Sequence, residues 1–441
     1  MEPETRATSF EKDAHKTKDN TTKGKTRSNS LFTISSGFTF FAALPGGSSS
    51  SSFSMNELRS FRPRRRDLDF KELDRDIPDE EYEIFFNNLH VEVWGLARMA
   101  FLPGGYSVGT RRSPWLREYP EEFLRYVELV AHPDARTNHW ERLLCDKDER
   151  VCLLMAIIFR ILDKKVFSTL LFGAGPIHGE TLKNSDTELI YAEGFERSSL
   201  RSHSTRTWLK TTYGVPPLFW QEVDKLCTQM LAMLLPFFNY VKEASPCEAI
   251  STSELYQSLH DVVAYAGWLS VCIRMSPAII SIDWTIPGEL YSAKFVNMSQ
   301  EAYETSKKRA RVYDKYDIRP WSMRKLSTAR VKISVTPKIV RHKPLPESLA
   351  INGITSYTIM KPSVVFYEGY NLEQDERKAF ISLPDYIQKL RDLSCVPRYT
   401  ALAIILVTLI WMWVFYTASG QQTWQAVLKT VKSRLQHEGI L

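Results

Sequence analysis

The sequence predicts a mainly α fold: a helical globular domain, a small strand-containing extension and one C-terminal transmembrane helix. Three observations carry that expectation. Apolar residues recur at three- and four-residue steps through much of residues 79–316, the period of a helix with a buried face. Beyond Tyr316 the pattern changes to short alternating stretches separated by Pro337, Pro344, Pro346 and Gly353, which is strand texture. Between Arg398 and Lys429 there is no charged residue at all.

The chain has 441 residues, 44% of them apolar and 24% charged, ordinary proportions for a protein that buries a core. Its net charge of +6 is local. Residues 1–66 hold 12 Lys/Arg against 6 Asp/Glu, which leaves 45 of each sign in the rest. A folded nucleic-acid-binding surface carries its own basic face, so no specific nucleic-acid partner is expected. Six cysteines (Cys145, Cys152, Cys227, Cys247, Cys272, Cys395) are spread mostly through apolar runs and read as reduced, buried thiols.

Residues 1–66 mix Lys, Thr, Ser and Asn, contain the run Ser48–Ser52, and close with Arg62-Pro63-Arg64-Arg65-Arg66. Such a stretch buries too little apolar area to offset chain entropy, so it reads as a disordered, basic, Ser-rich tail. Arg62, Arg64, Arg65 and Arg66 are its candidate contacts with anionic lipid. The apolar patch from Leu31 to Leu44 lies too far from the N-terminus for a signal peptide.

In the helical domain, 79–316, Tyr82, Phe85, Phe86, Leu89, Val93 and Leu96 mark the first helix. A second spans Glu121–Val130, with acids at the positive end of the helix dipole. Asn138 offers a cap for the next run, and Glu149–Leu171 is a core helix whose Arg160, Asp163, Lys164 and Lys165 sit away from Leu153, Ile157 and Ile161. Gly173-Ala174-Gly175-Pro176 ends it. Residues 178–214 are polar and Ser-rich and read as a long connection. Two further apolar helices follow, Pro217–Lys242 with a kink at Pro236, and Thr252–Met275 capped by Ser251 or Ser253. In the extension, 326–395, the expected strands are Arg330–Val335, Lys338–Arg341 and Ser363–Tyr367.

The span is 399–418. About 20 residues at 1.5 Å each give about 30 Å, the thickness of a bilayer core. Tyr399 at one end and Trp411, Trp413 and Tyr416 at the other suit the interfacial aromatic belt of a membrane anchor. Residues 420–437 then form a basic amphipathic helix. Trp424, Val427, Leu428, Val431 and Leu435 share one face, and Lys429, Lys432 and Arg434 lie off it, as a lipid-interface tail requires. With the span so late in the chain, insertion after translation and a cytosolic bulk are expected, at the endoplasmic reticulum or the mitochondrial outer membrane.

Motifs for chemistry are sparse. His132-Pro133-Asp134 copies the tripeptide of J-domain co-chaperones, but the preceding helix carries Glu121, Glu122 and Glu128 where that family's is basic, so a proline turn with Asp134 on local amides is expected. Phe172-Gly173-Ala174-Gly175 lacks the third glycine and the βα unit of a dinucleotide site. His139, Cys145 and Cys152 fit no compact zinc spacing, and His178, His203 and His260 stand alone. No P-loop or G-x-S-x-G elbow occurs. No catalytic residue, metal or cofactor is therefore assigned.

Glu92-Val93-Trp94-Gly95-Leu96-Ala97-Arg98 and Asp148–Lys165 give residues 80–400 a texture that resembles the uncharacterised membrane-anchored proteins of filamentous ascomycetes. That resemblance implies an anchor and no activity. The functional expectation is a single-pass, tail-anchored protein whose partners are membrane lipid and a protein bound to the helical domain. The alternative is a membrane-bound enzyme assembled from scattered residues such as His132, His139, Asp186 and Glu188.

Overall fold

A computed structural model describes residues 58, 60–70, 76–103, 113–134, 136, 140–316, 326–345 and 353–437, and for 393–401 and 431–437 it describes the backbone alone. The first helix, α1 (Asp79–Phe101), buries Tyr82, Phe86, Leu89, Val93 and Leu96, the periodic face anticipated above. α2 (Glu121–Val130) starts after Pro120 with Glu121 and Glu122 in its first turn. The short α3 (Glu141–Cys145) leads into α4 (Lys147–Leu162), nearly all of whose residues are buried. The cap of α4 is Asp146, whose carboxylate accepts from the amides of Asp148 and Glu149. Asn138, the expected cap, lies outside the described residues.

A π turn, Asp163–Phe167, ends α4. Its charges are placed as expected: Asp163 accepts from Trp284 Nε1 at 2.8 Å and faces Arg160 at 3.6 Å. The glycine break also has a local cause. Gly173 has φ +75°, and a Cβ there would lie 2.6 Å from the Phe219 backbone, so only glycine fits this turn.

The long connection expected over 178–214 is instead two helices, α5 (Pro176–Glu188) and α6 (Gly194–Lys210). They bury few side chains, His178 and Leu182 in one and Ser202, Thr205 and Leu209 in the other, so hydrophobic periodicity is almost absent. Local polar bonds hold them instead. Glu193 caps α6 through the amides of Phe195 and Glu196, and Asp186 of α5 pairs with Arg197 and Arg201 of α6. α7 (Phe219–Ala244) runs on as one assigned helix through Pro236, and α8 (Thr252–Met275) opens with a capping box of Ser251 and Glu254. α1, α7 and α8 pack on one another, with α4 against α1.

The strands form two three-stranded sheets. β1 (Ile279–Asp283), β4 (Lys338–Pro344) and β5 (Ile354–Met360) pair antiparallel in the order β1-β4-β5. β2 (Val296–Asn297), β6 (Ser363–Tyr370) and β3 (Ser327–Thr336) follow the order β2-β6-β3, parallel on one side of β6 and antiparallel on the other. The expected strands fall within β3, β4 and β6. Pro337, which has no amide hydrogen, sits where the chain leaves one sheet for the other. β6 is buried at every position because it lies centrally under α9 (Gln300–Lys315).

These strands do not make a separate extension. β3 packs on α4, β5 packs on α1, and Ile333, Val335, Ile339, Ile359 and Val365 belong to the same apolar cluster as the helices. A strand pair cannot bury both faces alone, and the helices supply the missing cover. After α10 (Glu373–Ala379) come α11 (Leu383–Tyr416) and α12 (Ala418–His437).

Candidate functional site

The first candidate is the C-terminal helix pair. α11 starts inside the domain: Ser382 caps it, Leu383 N donates to Glu128 at 3.0 Å, and Tyr386 OH donates to Glu141 at 3.2 Å. From Leu402 onward its side chains are mostly exposed and apolar, with Ile404 at 64% and Trp411 at 61%. The helix ends at Tyr416, two residues before the expected end of the span. Thr417 leaves helical geometry, and its hydroxyl both donates to Trp413 O and accepts from Gly420 N at 3.1 Å, closing one helix while opening the next. A Cβ on Gly420 would lie 2.2 Å from Trp413 O, so the tight corner requires glycine.

No single helix among the described residues is long and apolar enough to cross a membrane. Leu402–Tyr416 and Ala418–Thr430 pass that test only together, as a pair bent by 97°. The expected span 399–418 thus lies in a helix that ends at Tyr416, followed by a second helix at nearly a right angle to it. Trp413 and Tyr416 lie at the corner, with Trp411 a turn before it, and Trp424 and Leu428 are half-exposed on α12, as is Val427. Lys429 is exposed as well. Tyr399, Lys432 and Arg434 lie in helical backbone, outside the residues whose side chains are described.

The second candidate is the basic stretch. Residues 1–57 lie outside the described residues, but 60–70 run as an extended strap over α1, α7 and α8. Arg64 exchanges two hydrogen bonds with Gln257, backbone N to Oε1 at 2.8 Å and Nε2 to backbone O at 3.0 Å. Arg65 lies over the Trp220 ring, and Arg66 Nη1 donates to both carboxylate oxygens of Glu92 at 2.8 Å while the guanidinium stacks over Tyr265. Trp268 Nε1 donates to Asp69 O at 2.7 Å, and Phe70 is buried edge-on against Phe219. Open cavities of about 710 and 310 Å³ flank the strap. Residues 60–66 therefore belong with the folded domain, and Arg66 is held by Glu92, whereas Arg62, Arg64 and Arg65 remain exposed. Because the strap buries Phe70, Phe70→Ala should cost about 3 kcal/mol in denaturant unfolding. An unchanged midpoint would mean that the strap is not part of the fold.

Polar groups cluster a third time around His132. Its Nδ1 lies 3.1 Å from Tyr367 OH, which also donates to Glu376, and the imidazole ring stacks on Tyr367 and tilts against Phe380. Arg330 is buried beside them, donating to the carbonyls of Tyr370, Gly288 and Asn371. Asp134 accepts from Arg136 N at 3.2 Å and from Ser306 at 2.9 Å, the local turn anticipated for His132-Pro133-Asp134. Of the alternative catalytic set, the described members His132, Asp186 and Glu188 lie in separate places. Asp186 belongs to the arginine pairs of α5 and α6, Glu188 ends α5, and His139 lies outside the described residues. Burial pushes the Cys145 and Cys152 thiols up to about 12, which suppresses the reactive thiolate. Among the described residues no group of three or more His, Cys, Asp or Glu is placed to hold a metal ion.

Burial also pushes the imidazoles of His132, His90 and His178 below their ordinary value. A base depressed in the fold binds its proton first in the unfolded chain. Stability is then fully present above the ordinary histidine value of about 6.5 and is lost as pH falls through it toward the folded values. The thermal midpoint should drop between about pH 7 and pH 5, with a shallower drop in His132→Gln. An equally steep drop in that variant would remove His132 from the account.

Two features had no counterpart in the sequence reading: the docking of the strap on aromatic rings, and a group of arginines between α6 and α8. The spacing of Arg197 and Arg201, four apart on a polar helix, was the available signal for the second. No protein-family model, curated protein or solved structure matches the chain.

Proposed function

We propose that this is a membrane-anchored protein whose helical domain docks a protein partner at the cytosolic face. The apolar part of α11 enters the bilayer and α12 lies along its surface. The observation that carries this reading is the 97° corner at Thr417 between an apolar rod and a basic amphipathic helix. A helix in the hydrocarbon and a helix in the interface plane meet at about a right angle, and each has the composition its place demands.

The free thiols Cys152, Cys227 and Cys272 in the core suit a reducing compartment, and the exposed Arg62, Arg64 and Arg65 add attraction to anionic headgroups. The partner surface is proposed on the domain, which α11 joins to the apolar segment without a loop. Protease added to sealed membranes should remove an epitope placed at residue 1 and leave the transmembrane segment protected. Glycosylation at Asn297, which begins an N-x-S sequon, would place the domain in a lumen and refute this orientation.

A further inference from the structure

Between α6, the C-terminal end of α8 and β1 lies a cavity of about 190 Å³ lined by Arg197, Arg201 and Arg274 together with Ser198, Phe167 and Ile280. The three guanidinium groups meet one nearby carboxylate. Asp186 takes two hydrogen bonds from Arg197, at 2.9 and 2.5 Å, and one from Arg201. Among the described residues Arg274 has no ion-pair partner of its own, and it donates to the Phe167 carbonyl. Glu193, just before α6, is turned onto the amides at the start of that helix.

Two donors are left over. The Nε groups of Arg201 and Arg274 are both buried and meet no hydrogen-bond partner among the described residues. A buried N–H without an acceptor costs the full desolvation of that group, and two in one cavity call for an acceptor that enters from outside. Charge points the same way. Burial first, and the neighbouring Arg201 second, push the Arg274 guanidinium down to about 10, so an anion entering the cavity would favour its charged form.

We propose that this cavity binds a phosphate monoester group. Three arginines against Asp186 leave two positive charges, which a phosphate dianion would neutralise. Guanidinium forks match the oxygens of such an anion in geometry. A carboxylate would supply one negative charge, half of the surplus positive charge. The source is either a free phosphorylated metabolite or the headgroup of a phosphatidate-like lipid.

The full chain in detergent micelles tests this. Inorganic phosphate and dihexanoyl phosphatidic acid are titrated separately at constant ionic strength, against chloride and dihexanoyl phosphatidylcholine, and the thermal midpoint is read. The midpoint should rise with at least one phosphate source, since a ligand that binds only the fold raises its stability. Arg201→Gln should weaken the apparent affinity about tenfold or more, and Arg201→Lys should retain part of it. A response to inorganic phosphate identifies a free anion, and a response to the phosphatidate alone identifies a headgroup; either supports the site. No rise over the controls, or the same rise in wild type and Arg201→Gln, overturns it. Arg274→Gln is the companion variant, but its bond to Phe167 also ties α8 to the π turn, so Arg201, paired near the surface with Asp186, gives the cleaner reading.

Discussion

Deleting residues 399–441 is expected to move the protein from the carbonate-resistant pellet to the soluble fraction. About a dozen large apolar side chains between Leu402 and Tyr416 stand roughly half-exposed or more. Burying each is worth about 1.5 kcal/mol or more, so the segment gains of the order of 20 kcal/mol on entering lipid. Among the described residues no other element offers a comparable surface. α7 and α8, the remaining long apolar helices, face the core, with Phe237, Phe238, Val263 and Leu269 fully buried. They also carry Asp224 and Asp261, costly groups in hydrocarbon. A truncated chain that stays in the pellet would mean that α7 and α8 rearrange in the membrane, and it would sink the anchor as assigned.

The deletion also separates the two parts of α11. Leu383, Tyr386 and Ile387 are buried against the domain, and Trp140 Nε1 donates to Ile381 O at 2.9 Å just before the helix. A truncation at 399 leaves those contacts in place, so loss of membrane binding without loss of folding is the specific result. The helix runs on from Leu383 to Tyr416, 34 residues or about 50 Å, so the apolar segment is joined to the domain without a loop. Orientation of the domain relative to the bilayer would then be restricted by the helix itself.

What the sequence disclosed follows from the range of the forces involved. α1 and β6 were legible because each buries a face, or both faces, in a regular period. α5 and α6 were not, since their stability rests on caps and on the Asp186 pairs rather than on an apolar stripe. The strap was misjudged for a different reason. Arg62-Pro63-Arg64-Arg65-Arg66 has no periodicity, and its partners Trp220, Gln257 and Tyr265 lie more than 150 residues away. The corner at Thr417 was within reach. Thr417-Ala418-Ser419-Gly420 is a hydroxyl-capped helix start followed by a residue that admits close approach, yet the continuous hydropathy ran over it. The arginine cavity was hidden because Arg274 ends one helix, Arg197 and Arg201 sit on another, and only the fold joins them.

Breaking the ion pair of Glu149 and Lys332 should be among the most damaging single changes to the domain. Glu149 lies in the first turn of α4 and Lys332 in β3, and both are about 1% exposed. Arg142 approaches the same carboxylate at 3.8 Å, and the backbone carbonyl of Lys332 accepts from His132 N at 2.8 Å, so the pair sits where helices and sheet are joined. Such a pair adds little over an apolar replacement, because desolvation offsets most of the attraction. Removing one member is another matter. Glu149→Gln leaves the Lys332 ammonium buried without its countercharge, at a cost of about 3–5 kcal/mol, whereas the double change Glu149→Leu with Lys332→Met removes both charges and should recover most of it. Denaturant unfolding of the two variants beside wild type separates these effects through the midpoint at constant slope. If the single variant lost under about 1 kcal/mol, the ammonium would have to reach water, and β3 would not be sealed against α4 as described.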